Sequence, residues 1–302
     1  MPRAKKTTRA KPDRGTKGRA ILAQNNYGKS NVRMVKVSRN GRKHTVREVS
    51  VDISLEGDFE AVHTRGDNAR CVPTDTMKNT VYALGKSHPL ETIESFAIDL
   101  GRHFLRLASW VDTARVEVTQ VPWERVVSRG KPHPHCFAKG SEERQTCDVL
   151  LAAGETQVIC GIKHLVVLKS TDSAFSGYPN VKYTTLPETR DRIMATSVAV
   201  RWLLSDAGVK RGRFGVYREA VRAALIDTFA AHKSESVQHT LYAMGEAALK
   251  ACPEVDQIRL SMPNKHCLLV NLRPFGMKND NEVFVPVDEP FGLIEATVVR
   301  GG

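Results

Sequence analysis

The order strands, two helices, strands runs through this chain twice, and a repeat of that kind constrains the fold more than any single motif. In the first copy, residues 32–37 alternate loosely and residues 45–55 follow beyond Gly41, which reads as a hairpin. A short helix is expected around 76–86. Ile93, Phe96, Leu100, Phe104 and Leu107 then recur at the spacing of one face of a longer helix. Extended stretches at 114–121 and 146–152 follow, separated by a Pro/His loop at 128–141. The second copy opens with strands at 157–169 and 193–203. Phe214, Tyr217, Val221, Leu225 and Phe229 form one helical stripe. Val237, Leu241, Met244 and Ala248 form another, ended near Cys252-Pro253 because proline cannot continue a helix. Extended segments at 257–262, 267–272 and 293–299 close the chain. The expectation is an α+β fold of two tandem units, 21–153 and 154–302, with antiparallel sheets and helices packed on one face.

Charge and cysteine usage narrow the functional classes. The formal net charge is +12. Residues 1–20 hold eight basic side chains against Asp13 alone, a net +7, which leaves +5 over the rest. So charged a segment, poor in apolar side chains, reads as a flexible extension without a specific partner. Nucleic acid is therefore not expected as a partner, and the mild excess over the body suits a pocket for a small anion. No apolar run approaches the ~20 residues that cross a bilayer, so no membrane association is expected. Six cysteines without a Cys-x-x-Cys pair argue against a zinc ribbon or a disulfide scaffold. Neither a secretory apolar core nor a terminal Ser-Lys-Leu is present, so a cytoplasmic location is expected.

Polar residues crowd into four short stretches. Tyr27-Gly28-Lys29 precedes a strand. Thr74-Asp75-Thr76, followed by Lys78-Asn79-Thr80, reads on its own as a helix N-cap, because Thr and Asp satisfy free amides there. A long loop rich in hydroxyls runs from Leu168 to Thr196 and carries Phe175, Arg190 and Arg192; long loops in compact domains are usually functional. Asn264-Lys265-His266 follows Pro263 and reads as a turn between two strands. His133-Pro134-His135-Cys136 offers metal-ligand chemistry but lacks a second pair of ligands in register, so no metal is expected there.

Together these stretches resemble the urate oxidase (uricase) family. The likeness is carried by Tyr183-Thr184-Thr185-Leu186, Glu188-Thr189, Asp191-Arg192-Ile193 and Ala195-Thr196. Tyr27-Gly28-Lys29, Thr74-Asp75-Thr76, Val237-Gln238 and Pro263-Asn264-Lys265-His266 fall in the family's order and spacing. The resemblance covers roughly residues 21–300. It implies two tandem tunnelling-fold (T-fold) units per chain and a homotetramer with active sites at subunit interfaces. It also implies oxidation of urate by dioxygen and water to 5-hydroxyisourate and hydrogen peroxide, with neither metal nor organic cofactor.

The residue types suit the roles that the resemblance implies. Phe175 would stack on the purine, and Arg192 would grip one edge with a planar fork that lysine cannot copy. Gln238 would match the carbonyl and N–H on the opposite edge, the backbone amides of Leu186 and Val237 would complete the cradle, and Asp75 would support the Thr74 loop and its contact to urate. Lys29, Thr74 and His266 would form a proton relay, and Asn264 with Thr74 would hold dioxygen above the ring. In the family the Lys29 and Thr74 side comes from one subunit and the Phe175, Arg192, Gln238 and His266 side from another. Pro187 stands where a lysine is common, and Pro73 directly precedes Thr74 and biases Val72 toward an extended conformation.

Overall fold

Alternating apolar residues build long strands here, and two of them open the chain. The computed structural model describes residues 20–152 and 154–301; the basic segment 1–20 lies, Ala20 apart, outside the described residues. Strands β1 (Tyr27–Asn40) and β2 (Lys43–Gly57) form the hairpin, turning at Gly41, whose φ is +55°. Helices α1 (Glu60–Arg65), α2 (Thr74–Ser87) and α3 (Ile93–Leu107) come next. Then follow β3 (Val111–Val121), β4 (Trp123–Ser128), β5 (Lys131–Lys139), β6 (Arg144–Ala152) and β7 (Glu155–Lys169). After the long loop, β8 (Met194–Leu204) leads into α4 (Asp206–Arg211), α5 (Phe214–Ala231) and α6 (Val237–Ala251). Strands β9 (Val255–Leu269) and β10 (Phe284–Val299) end the chain.

All main strands pair antiparallel in one eight-stranded sheet of order β1-β2-β3-β6-β7-β8-β9-β10. The period-two pattern decides which face meets the helices: Ala114, Val116 and Val118 are buried while Arg115 and Glu117 turn away. Helix α2 packs on β1, α3 on β3 and β6, and α6 on β9 and β10. The α+β class and the single helical face expected from the periodicity are what the chain adopts.

The two halves share more than element order. Thr92 caps α3 by accepting from the Ser95 N–H, and Ser236 caps α6 by accepting from the His239 N–H. Nine residues beyond each cap stands a glycine pressed against the sheet. A Cβ on Gly101 would lie 2.4 Å from Leu151, and one on Gly245 2.7 Å from Val298. Each helix therefore approaches its strands as closely as a missing side chain allows. Burying Ile93, Phe96, Leu100 and Phe104 stabilises α3 by about 1.5–3 kcal/mol per side chain.

A buried charge pair spans the halves. Arg218 on α5 bonds to Glu94 on α3, and both side chains are almost wholly buried. The same guanidinium donates to the carbonyls of Gly161 on β7, at 2.6 Å, and Thr146 on β6. Indole Trp202 lies beneath it, 5.5 Å from the guanidinium carbon to the ring centre.

Two stretches fold differently from expectation. The Pro/His segment at 128–141 is not a loop: it contributes β5, paired with β4 in a small second sheet. Arg125 anchors it by donating to the carbonyls of His133 (2.7 Å) and Pro134 (2.6 Å) and to that of His44. Prolines are tolerated because a two-stranded ribbon has free edges. Pro263-Asn264-Lys265-His266 is not a turn either; it lies inside β9, which runs unbroken to Leu269. Pro263 pairs toward β10, opposite Leu293, while the β8 ladder skips it between the pairs Thr196↔Asn264 and Ala199↔Ser261.

Replacing Glu94 with alanine should lower the unfolding free energy by about 3–5 kcal/mol, since the Arg218 charge stays buried without its partner. Denaturant titration reads this as a lower midpoint. An unchanged midpoint would mean that the pair does not hold the halves together.

Candidate functional site

Lys29 is aimed by a break in β1. The β1–β2 register slips between Lys29 and Val32, and Asn31 takes a φ of 57°. Its N–H donates to Asp52 Oδ1 at 2.8 Å, and Ser50 Oγ donates to its side-chain oxygen at 2.7 Å. The bulge thus keeps both Lys29, opposite buried Ile53, and Val32 on the helix-covered face. Gly28 cannot carry a side chain, because a Cβ there would sit 1.7 Å from the Ile53 carbonyl oxygen.

Helix α2 brings its first turn to the same place. The capping reading of Thr74-Asp75-Thr76 is corrected by its geometry: Pro73 is the N-cap and gives no side-chain cap, while Thr74 and Asp75 are the first two helical residues. Proline's preset φ suits that entry. Thr74 is solvent-exposed. Asp75 bonds to Lys78 and accepts from Asn79 Nδ2 at 2.8 Å. The Lys78 ammonium, and more weakly the charge of Lys29, holds the Asp75 carboxyl below the usual range. Tyr27 accepts the Val72 N–H at 2.7 Å and so pins the loop before Thr74. Burial and the neighbouring Cys71 push its phenol up to about 12. Lys29, Thr74 and Asp75 therefore form one group.

A second group gathers around Phe175. A pair of backbone hydrogen bonds joins Phe175 to Thr189, at 2.8 and 3.0 Å, and closes the neck of loop 176–188. The Arg192 guanidinium carbon lies over the Phe175 ring, 5.4 Å from its centre. Burial alone lowers the Arg192 pKa from its ordinary value, with no carboxylate contributing, and its Nε has no hydrogen-bond partner among the described residues. Thr171 Oγ1 donates to Asp191 at 3.0 Å and steadies the approach to Arg192.

The turn before α6 is stitched to the same loop. Ser234 donates its N–H to the Asp172 carbonyl at 2.9 Å, and the Ala174 N–H donates back to Ser234 at 2.7 Å. Val237 and Gln238 follow as the first two residues of α6, where helix geometry gives their N–H groups no intrahelical acceptor. Those amides form the positive end of the helix dipole, which favours an anion. Asn264 pairs with Thr196 across the β8–β9 ladder, and Ala195↔Lys265 places His266 beside the β8 end that follows Arg192. Asn264 and His266 continue the row of Ile258, Leu260 and Met262, the buried face of β9. Leu186 is exposed, but its carbonyl accepts the Tyr178 hydroxyl at 2.5 Å, and Tyr178 stacks on Phe175. The sequence alone does not single out Tyr178; its position three residues beyond Phe175 in a polar loop is the only signal there.

The two groups do not meet within one chain. Six strand-to-strand steps separate β1 from β9, roughly 29 Å along the sheet at about 4.8 Å per step. A cleft of 380 Å³ beside β1 is lined by Gly28, Ser30, Asp52 and Arg115, and one of 320 Å³ lies between α2 and α3. Neither is lined by Lys29, Thr74, Phe175, Arg192 or His266. His133, His135 and Cys136 belong to no group of three or more metal-ligating side chains with the geometry to hold an ion, among the described residues.

The family model described as Uricase matches residues 25–150 and 158–295. The uricase of Arthrobacter globiformis is 45% identical over 98% of this chain and 95% of its own. That of Cyberlindnera jadinii is 38% identical over 92% and 97%. The crystal structure of uricase from Arthrobacter globiformis superposes with a TM-score of 0.88, covering 94% of this chain and 96% of that one. A uricase from Bacillus fastidious, 24% identical, shares the fold with a TM-score of 0.80 over 92% and 94%.

Gly28→Ala should force the β1–β2 ladder open beside Lys29. The expected result is faster amide hydrogen exchange at Ile53 and Ser54 than in the parent protein. Unchanged protection there would show that the close approach is not needed.

Proposed function

Because the chain belongs to the uricase family, we propose that Lys29 with Thr74 on one subunit and Phe175 with Arg192 on a neighbour close around a single urate anion. The activity is that of a urate oxidase, an oxidoreductase that uses dioxygen. One observation carries the arrangement: a half-buried guanidinium with an unpartnered Nε lies over an aromatic ring, beside free amides at a helix start. A flat anion answers all three features, with its face on Phe175 and its edges on Arg192 and Gln238.

Two half-sites five to six strands apart in one sheet call for more than one chain, since proton transfer requires contacts of about 3 Å. Both sheet edges, β1 and β10, are open, and Val35, Leu293 and Val299 on them are exposed. Tyr183 and Leu186 in the long loop are 82% and 56% exposed, which suits a surface that another subunit covers. We assign a homotetramer whose units 21–153 and 154–302 are two T-fold domains, with cytoplasm as its compartment. Among the described residues no helix is long and apolar enough to cross a membrane.

In this scheme urate, dioxygen and water give 5-hydroxyisourate and hydrogen peroxide. The urate anion supplies the electron pair, dioxygen held by Asn264 and Thr74 accepts it, and water adds to the purine. No metal or organic cofactor enters, because the substrate is itself the reductant. Lys29, Thr74 and His266 move the protons. Asp75, tied to Lys78 and Asn79, steadies the helix start that carries Thr74. The amides of Leu186 and Val237 complete the cradle, whose main work is to orient and desolvate.

Loss of urate's ultraviolet absorbance in a chelator-treated sample supplied only with air tests the reaction. Sustained turnover is expected, and recovery only on adding metal would overturn the cofactor-free scheme. The shared site is tested by mixing subunits. Thr74→Ala should lower kcat by about 10²–10⁴-fold, as expected for a positioned proton-transfer group, and Arg192→Ala should mainly raise KM. Co-assembled in equal amounts, the two should regain about a quarter of wild-type activity, because random mixing rebuilds that share of interfaces from intact halves. Strictly additive residual activities would place each site within one chain.

A further inference from the structure

We infer that Tyr178 is a positioning residue which ties the stacking ring of Phe175 to the Leu186 segment, so that the face and the edge of the substrate are held at a fixed separation. The inference rests on the proposed placement of urate against Phe175.

Tyr178 and Phe175 lie ring to ring, with centroids 4.8 Å apart and planes 19° from parallel. An offset stack of this kind is the favoured parallel geometry for two aromatic rings. Tyr178 therefore occupies one face of Phe175. The guanidinium of Arg192 lies over the same ring. Tyr178 and Arg192 thus hold the Phe175 ring in place from within the chain before any substrate enters.

The hydroxyl makes the second attachment. It donates to the Leu186 carbonyl at 2.5 Å, across a loop closed at its neck by the Phe175–Thr189 pair. Other ties within that loop are local or near its neck. Glu188 accepts the Gly177 N–H at 2.8 Å, and Thr184 donates its N–H to Val181 at 2.8 Å. Tyr178 spans instead from the Phe175 ring to the segment expected to meet the substrate edge. Leu186 is exposed, so apolar packing does not fix it, and the hydrogen bond does. A half-buried tyrosine ring offers both an apolar body and a polar tip for such a brace.

Two variants separate the attachments. Tyr178→Phe keeps the stack and loses the hydroxyl; Tyr178→Leu loses both. Urate affinity measured under nitrogen, where no turnover occurs, should weaken about fivefold in the Phe variant, the effect of one hydrogen bond. In the Leu variant it should weaken more than about tenfold, since an aromatic contact is lost as well. With air admitted, KM should rise in parallel while kcat stays within about twofold, the mark of lost ground-state and transition-state binding alike. Unchanged urate affinity in both variants overturns the inference, whatever happens to Tm. So does a fall in kcat at constant KM, which would place Tyr178 at the reacting atoms. A wild-type protein that neither binds nor oxidises urate overturns the underlying reading and this inference together. Wild-type turnover with indifferent variants overturns this inference alone.

Discussion

The buried pair between Glu94 and Arg218 sits where the two halves of the chain meet. Ions taken out of water repay that cost only when their geometry is good and their other hydrogen bonds are met. Here the remaining donors of Arg218 reach carbonyls of β6 and β7, the neighbouring strands at the seam, and Trp202 lies below the guanidinium. On the opposite face Asp148 accepts from Arg115 on β3 and from Arg201 on β8, at 2.9 and 2.8 Å. Gly161 on β7, between them in the sheet, has no side chain to obstruct that reach: a Cβ there would already touch Thr146 Oγ1 at 2.5 Å. Both faces of the seam are therefore locked by charge. With the halves fused into one continuous sheet, Lys29 on β1 and Asn264 on β9 lie six strand-to-strand steps apart.

The same helix position serves two ends. Glu94 and Gln238 each stand two residues beyond a hydroxyl cap, Thr92 and Ser236, and seven residues before a glycine seated on the sheet. In the first half that side chain is 1% exposed and neutralised by Arg218 from the second half. In the second half it is exposed, next to amides that helix geometry leaves unpaired. A repeat that closes one helix start internally leaves the equivalent start open to solvent. In the proposed function that open start and Arg192 together take an anion.

Much of this was legible because periodicity reports which face is buried. The stripes at 93–107, 214–229 and 237–248 are helices, and 32–37 and 45–55 are a hairpin, since apolar spacing and burial are one constraint. The spacing could not show that 128–141 pairs as a ribbon, because its support comes from Arg125 and His44, outside the paired strand β5. Nor could it show β9 passing through Pro263, which depends on a gap in the ladder to β8. Thr74 and Asp75 have the composition of a cap, yet the proline before them takes the cap position. Phe175 and Arg192 stand out in the polar loop, but their roles and that of Gln238 come from the resemblance, and the stitches that gather this stretch are backbone bonds at Ser234 and Thr189. Such bonds carry no residue signature, so neither Tyr178 nor the Ser234 turn could be read from the sequence.

Buried polar atoms without partners locate the cost of this arrangement. Of the five such side-chain atoms among the described residues, Ser173 Oγ, Arg192 Nε and Thr196 Oγ1 belong to the patch around Phe175 and Asn264. Each forgoes a hydrogen bond worth about 1 kcal/mol net, and more if it stays dry. A protein selected only for stability would pair them, as most buried polar groups are paired. The proposed function gives their concentration a reason, because a site that grips an anion by its edges must present donors that the fold itself does not consume. The core avoids this conflict by giving Arg218 a carboxylate and carbonyls, whereas Arg192 has an aromatic ring below it and, among the described residues, no partner for its Nε. Two arginines of one chain thus stand in contrast, Arg218 bonded across the halves and Arg192 with its Nε unpaired among the described residues.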